Sequence, residues 1–96
     1  MIAIIATFTV AEANAAAFEA IAGELVAATT ANEPGVKLYT LVRDRKDATK
    51  YRMLELYEDQ AAVNSHMSAE WFKAAGKKLG AVLEERLVIE QYSVVA

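Results

Sequence analysis

Residues 51–72 (YRMLELYEDQAAVNSHMSAEWF) change periodicity once, at Asp59, and this change constrains the order of the elements around it. Before Asp59 the side chains alternate between two faces. This pattern predicts a strand over residues 51–58, with these side chains on one face: Tyr51, Met53, Glu55 and Tyr57. After Asp59, apolar side chains recur at helical spacing over residues 60–67, and Asp59 stands in the N-cap position. We therefore expect a strand that runs directly into a helix.

A second helix is predicted behind the first, with Ser68 as its cap and Glu70 in its first turn. Its apolar positions lie three or four residues apart, at Phe72, Ala75, Leu79 and Val82. The same stretch contains the single His of the chain, His66, and the single Trp, Trp71. These rare residue types make it the first candidate for a functional site.

The rest of the chain supplies three further strands and one long helix. Strands are predicted over residues 2–10, 36–44 and 87–95, which are rich in β-branched and aromatic side chains. Residues 12–30 are rich in Ala, lack Pro and carry one apolar stripe, which predicts a helix. Pro34 and Gly35 should end this helix in a type II turn. The two middle strands should form a hairpin, and the alternation of the first places Val36 on the same face as Leu38.

The predicted order is strand, helix, strand, strand, helix, helix, strand. Two split βαβ units of this kind give a ferredoxin-like α+β fold, a four-stranded antiparallel sheet with helices on one face. One domain should cover residues 1–96, because a chain of this length supports a single core. Several strands are apolar on both faces and the helices can cover only one. We therefore expect a homodimer that buries the other face.

Composition argues against several classes of function. The chain has no Cys, which removes disulfide frameworks and thiolate metal sites. A net charge of -3 and the lack of a long Lys or Arg run argue against nucleic acid as a partner. No apolar run reaches the roughly 18 residues that span a bilayer, so we expect no membrane partner. An export signal would begin with basic residues, but the first Lys or Arg of this chain is Lys37. We therefore expect a cytoplasmic protein.

Residues 54–76 (LELYEDQAAVNSHMSAEWFKAAG) resemble the antibiotic biosynthesis monooxygenase family. The resemblance is carried by a Glu-x-aromatic strand end followed by a His, a Ser-containing turn and an aromatic: Glu55, Tyr57, His66, Ser68 and Phe72. The element order and the turn at residues 33–35 fit as well. The resemblance implies a dimeric α+β barrel with a pocket between sheet and helices in each subunit. The family includes cofactor-free quinol and polyketide monooxygenases, heme-degrading enzymes and an isomerase of a phosphorylated autoinducer.

Departures from two branches of the family narrow the expected reaction. The heme-degrading branch has an Asn, a Trp and a His where this chain has Thr7, His66 and Gly76. The aromatic-polyketide branch has an Asn, a Trp and a Tyr where this chain has Met53, Tyr57 and Val63. The resemblance therefore favours a monooxygenase that oxidises a small quinol-like or phenol-like substrate with O2. We expect no metal, heme, flavin or other cofactor.

His66 is the candidate catalytic residue. Oxygenation without a cofactor requires deprotonation of an electron-rich phenol, because the substrate itself must supply the electrons. An imidazole with a reference pKa of about 6.5 can accept that proton near neutral pH. Glu55 or Asn64 is expected to orient the ring. A structural role, in which His66 only hydrogen-bonds a neighbour, remains equally open.

The residues expected to bind substrate are Met53, Glu55, Tyr57, Asn64, Trp71 and Phe72. Glu55 is singled out because a carboxylate inside an apolar strand is rare unless it is paired. Its alternative role is an ion pair with Arg43 or Lys37 across the hairpin, or exposure at a rim. Tyr57 and Trp71 are preferred among the aromatic side chains, any of which could equally be ordinary core.

Two other functions remain open at this stage. An isomerase of a small phosphorylated ketone would need Lys or Arg beside His66 to hold the phosphate. The basic helix face formed by Lys73, Lys77 and Lys78 could hold an anion, although such a face is more typical of solvated surface. The other alternative is a small-molecule-binding module without catalysis. An aromatic pocket free of cationic groups would favour the oxygenase.

Overall fold

All 96 residues are described by a computed structural model. Its strands are β1 (Ile2–Thr9), β2 (Val36–Arg43), β3 (Lys50–Tyr57) and β4 (Val88–Ser93). Its helices are α1 (Ala15–Asn32), α2 (Gln60–Ser68) and α3 (Glu70–Leu79), with a 3-10 turn at Glu12–Asn14 in front of α1. The strands pair antiparallel in the order β2-β3-β1-β4. The predicted ferredoxin-like α+β fold and the β2–β3 hairpin are confirmed. None of the helices combines the length and the apolar character needed to cross a bilayer.

Strand β3 shows which face of the sheet the helices cover. Its odd-numbered side chains, Tyr51, Met53, Glu55 and Tyr57, are all buried, whereas those between them are half-buried. The main core joins Tyr51 and Met53 to even positions of β1 and to the buried stripe of α1, whereas Tyr57 packs with Ile4 and Val63 in a smaller cluster. The predicted alternation therefore places one carboxyl group, that of Glu55, beneath the helices.

Two predictions for the connection between α1 and β2 were wrong. The Val36 N–H donates to the Glu33 carbonyl at 3.1 Å, but Gly35 has no positive φ, so the turn is not type II. Gly35 is needed for space instead, since a Cβ there would lie 2.8 Å from the Cβ of Ala62 on α2. A bulge between Val36 and Leu38 then shifts the register. Val36 therefore packs on the helix-covered side, away from the face that Leu38 occupies.

The caps of α2 and α3 follow the sequence only in part. Asp59 caps α2 as predicted, because its Oδ1 accepts from the Ala62 N–H at 2.8 Å. Ser68 does not cap α3. It is the last residue of α2, its hydroxyl donates to the Asn64 carbonyl at 2.9 Å, and an extended Ala69 separates the two helices. Helix α3 ends at Leu79, so Val82 packs against the core from beyond the helix.

The other face of the sheet carries no helix, and we call it the open face. Its most exposed apolar side chains are Leu38, Val42, Val88 and Tyr92, which are 46%, 38%, 56% and 48% exposed. Between them in the register lie half-buried Ile5, Leu54 and Leu56. Thr7 and Arg52 separate Val88 from Val42, but the row from Leu38 through Leu56 to Tyr92 is apolar. The single chain therefore leaves an apolar row in contact with solvent.

Candidate functional site

A cavity of about 330 Å³ lies between the helices and the helix-covered face of the sheet. Eleven of its fifteen lining residues are hydrophobic, and this is the usual character of a small-molecule site. The side chains that bring polar atoms to the lining are Tyr39, Glu55, Tyr57, His66 and Gln91. No Lys or Arg is among them. The cavity therefore suits a largely apolar molecule with a few polar groups.

His66 lies on the inner side of α2 and is 2% exposed. Its Nδ1 is 3.1 Å from Oε1 and 3.0 Å from Oε2 of Glu33. Because a carboxylate can only accept a hydrogen bond, this contact places a proton on Nδ1. The other ring nitrogen, Nε2, is buried and has no hydrogen-bond partner. In the neutral ring Nε2 therefore carries a lone pair without a hydrogen-bond partner, on a residue that lines the cavity.

Glu33 follows α1 directly and is held by two donors from two other helices. Besides the His66 contact, the Trp71 indole N–H of α3 donates to its Oε2 at 2.6 Å. The sequence gives no signal for this role, because the surrounding Asn-Glu-Pro-Gly indicates only the end of a helix. The two residues expected to orient His66 do not do so. Asn64 is exposed and accepts from the Gln60 side chain, and Glu55 bonds elsewhere.

Glu55 lies next to Tyr57 on the floor of the cavity. The Tyr57 hydroxyl donates to Glu55 Oε1 at 2.5 Å. Burial raises the pKa of Glu55 to about 7, against the lowering effect of this hydrogen bond. Burial and the Glu55 charge also raise the pKa of Tyr57. The expected alternative, an ion pair of Glu55 with Arg43 or Lys37, is absent, because those cations pair with Glu19 and Glu58.

Aromatic rings enclose the His66 imidazole on several sides. The ring centroid of Phe72 is 4.8 Å away, that of Tyr39 is 4.9 Å away and that of Tyr57 is 5.7 Å away. Tyr39 comes from β2, where the register places it opposite Glu55, and burial raises the pKa of its hydroxyl. These contacts leave the imidazole little freedom to rotate away from Glu33.

Four of the seven predicted site residues line the cavity: His66, Glu55, Tyr57 and Phe72. The other three do not. Met53 is 1% exposed and belongs to the core under α1. Asn64 lies on the outer side of α2, and Trp71 reaches Glu33 from outside the cavity. No group of three or more His, Cys, Asp or Glu side chains is arranged to hold a metal ion.

A ferredoxin-like sheet with a buried His at a mostly apolar cavity beneath its helices defines the class of α+β domain. The sequence profile of the family described as antibiotic biosynthesis monooxygenase matches residues 1–78. The chain belongs to this family, as its resemblance predicted.

Solved structures agree with this assignment. A candidate antibiotic biosynthesis monooxygenase from Caulobacter crescentus is 38% identical, with a TM-score of 0.95, over 99% of this chain and 90% of that protein. A protein from Pseudomonas aeruginosa is 33% identical, with a TM-score of 0.88, over 99% and 94% of the two chains. A protein from Nitrosomonas europaea is 16% identical over the full length of both chains and, with a TM-score of 0.94, shares the fold. Curated protein sequences provide no significant match.

Proposed function

We propose that this protein is a cofactor-independent monooxygenase that oxidises a small quinol-like or phenol-like substrate with O2, with His66 as the base. One observation carries the proposal. A buried His lines a mostly apolar cavity, its Nε2 has no hydrogen-bond partner, and its Nδ1 is held by a carboxylate. Membership of the antibiotic biosynthesis monooxygenase family supports the general class of reaction.

The geometry suits proton abstraction from a phenol. A phenolic O–H that donates to Nε2 can pass its proton to the ring, which leaves a phenolate and an imidazolium. The Glu33 carboxylate at 3.0 Å from Nδ1 stabilises the positive charge that forms. An apolar lining excludes water, which strengthens this charge interaction.

The phenolate then supplies the electrons that reduce O2. A bond forms between a ring carbon and one oxygen atom, the O–O bond breaks, and the second oxygen leaves as water. In the overall reaction, a hydroquinone and O2 give a hydroxyquinone and water. All four electrons accepted by O2 come from the ring, so no external reductant is needed.

The isomerase alternative is not favoured by the cavity. A phosphorylated substrate needs converging cationic groups, and no Lys or Arg lines the cavity. An anionic phosphate would instead meet Glu55. Lys73, Lys77 and Lys78 are exposed, and Lys78 lies 3.8 Å from Glu24 on the outer surface.

The test is O2 uptake by metal-free protein supplied with a panel of catechols and hydroquinones. For a substrate that reacts, His66→Ala should lower turnover by about 100-fold or more, because a general base is lost. Asn64→Ala, on the exposed side of the same helix, is the matched control and should keep activity. Unchanged turnover in His66→Gln would refute the catalytic role. Tight binding of the panel without O2 uptake would indicate a binding module instead.

We also propose that the active form is a homodimer. The open face provides the support, since one row of apolar side chains crosses all four strands, from Leu38 through Leu56 and Ala3 to Tyr92. A second copy of the same face would remove this surface from water and complete a two-sheet barrel.

A further inference from the structure

Glu55 has no part in the proton transfer to His66, yet it is the single carboxyl group in the cavity lining. It lies on an inner strand, between Ile4 of β1 and Tyr39 of β2 in the register, and is 9% exposed. Its one side-chain hydrogen bond, from Tyr57, engages Oε1. A carboxyl group buried without a cationic partner lowers stability. Core packing therefore gives no reason for an acid at this position.

The proposed reaction releases two phenolic protons and therefore benefits from a second proton acceptor. A dihydroxyarene that is oxidised to the quinone level gives up both of its phenolic protons. His66 Nε2 can take only one of them, because Nδ1 already carries a proton held by Glu33. Tyr57 and Tyr39 hold their own protons more tightly than usual and cannot serve as bases near neutral pH.

We infer that Glu55 is a second catalytic base, which takes the proton of the substrate's other hydroxyl while His66 takes the first. This inference rests on the proposed function. The carboxylate oxygen that Tyr57 leaves free, Oε2, is the atom that accepts the proton. The cavity then holds a diphenol by two hydroxyl groups, one at each base.

The protons balance in this scheme. Two O–H bonds break, and one C–O bond forms between the dianionic ring and O2. His66 and Glu55 return their protons to the distal oxygen, which leaves as water when the O–O bond breaks. The hydrogen on the attacked ring carbon ends on the new hydroxyl group. Both bases are thereby restored for the next turnover.

The acidity of Glu55 suits this role. Burial raises its pKa to about 7, which makes its carboxylate a far stronger base than that of an ordinary Glu. The titratable groups that face it are Tyr57 on β3, Tyr39 on β2, His66 on α2 and, more distantly, Glu33 after α1. No Lys or Arg lines the cavity, so no permanent cation returns the pKa of Glu55 to the usual range.

Nitrocatechol and its monomethyl ether test the inference without turnover, because both resist oxidation and both change colour on ionisation. Wild-type protein near pH 7.5 should bind nitrocatechol with a measurable share of the doubly ionised form in its spectrum. Glu55→Gln, which keeps size and hydrogen bonding, should bind it singly ionised and about 10-fold more weakly. The ether, which lacks the second hydroxyl, should bind both proteins equally. Identical nitrocatechol spectra and affinities in the two proteins, or no binding to either, would overturn the inference.

Infrared difference spectroscopy on the wild type gives a readout that does not depend on the folding of a variant. Nitrocatechol should produce the C=O band of a newly protonated carboxyl group, and the absence of that band would also refute the role of Glu55.

O2 uptake separates the proposed oxygenase activity from the proposed role of Glu55. Doubly ionised ligand without O2 uptake from any diphenol would refute the oxygenase and keep Glu55 as a base. Normal uptake by Glu55→Gln would refute the base and keep the oxygenase.

Discussion

Glu33 Oε2 lies 3.0 Å from Nδ1 of His66, although the two residues are 33 positions apart in the chain. Glu33 directly follows α1 as its C-cap, and His66 lies buried on α2. The close approach of Gly35 to Ala62 brings the turn after α1 against α2, and the Trp71 indole of α3 holds the same carboxylate. Three helices thus meet at one acidic side chain behind the candidate base.

Glu33→Gln should lower turnover of a reactive phenol by roughly 10- to 100-fold, because a hydrogen bond to a charged group contributes about 1.5–3 kcal/mol. Glutamine keeps an oxygen that can accept from Nδ1, but it has no charge to stabilise the imidazolium. Steady-state O2 uptake provides the measurement. Trp71→Phe, which leaves the carboxylate in place, should have a smaller effect. Equal losses in the two variants would show that Glu33 only supports the local structure.

Local patterns were enough to predict β3 and its continuation into α2. Every second side chain of β3 is buried: Tyr51, Met53, Glu55 and Tyr57. Asp59 caps α2 by accepting a hydrogen bond from the N–H of the residue three positions later. Each of these signals therefore lies within a few residues of sequence. The bulge at Val36–Leu38 carries no such signal. It depends on how β2 docks on β3, and it reverses the face expected for Val36.

The site was predictable only where it lies on these local elements. His66, Tyr57 and Glu55 follow from the β3–α2 pattern. Glu33 could not be found in this way, because its role depends on a contact between distant helices. Trp71 was placed beside the pocket on residue type alone, but the rotation of α3 about its axis points the indole at Glu33 from outside. Contacts of this kind depend on tertiary packing, which a short stretch of sequence does not specify.

Glu55 should make stability fall as pH rises. Its folded-state pKa of about 7 lies above the usual value of 4.5, so the folded protein holds a proton that the unfolded chain has released between these values. The contribution is fully present below about pH 4.5 and is lost by pH 7, with a size of about 3 kcal/mol. Urea unfolding should therefore show that Glu55→Gln gains stability relative to wild type between about pH 5 and pH 8. Glu84→Gln, at an exposed position, should show no such gain, and a constant difference for Glu55→Gln would contradict the raised pKa.

A charged side chain on the open face should dissociate the proposed dimer. Leu56→Lys places an ammonium group where Leu38 lies across the hairpin and where a second sheet would pack. Sedimentation at micromolar concentration should give a dimer for wild type and a folded 10.4 kDa monomer for the variant. Ala31→Lys, at an exposed position on α1, should leave the dimer intact. A wild-type protein that is a folded monomer would refute the proposed homodimer.

Gly76 marks the mouth of the cavity. It lines the cavity, is exposed, and has no heavy atom within 4 Å of where a Cβ would stand. Three further lining residues are exposed, Met67 of α2 at 47%, Ile89 of β4 at 49% and Gln91 of β4, so the opening lies between these helices and β4.

A larger side chain at Gly76 should therefore obstruct access without harm to the fold. Gly76→Leu should slow the association of nitrocatechol by about 10-fold or more, while helix propensity raises stability by about 0.5–1 kcal/mol. Gly23→Leu is the matched control, because Gly23 is also exposed on a helix, also has open space at its Cβ, and lies away from the cavity. It should gain similar stability and keep the wild-type rate. Stopped-flow binding and thermal melting measure the two effects, and an unchanged association rate in Gly76→Leu would place the mouth elsewhere.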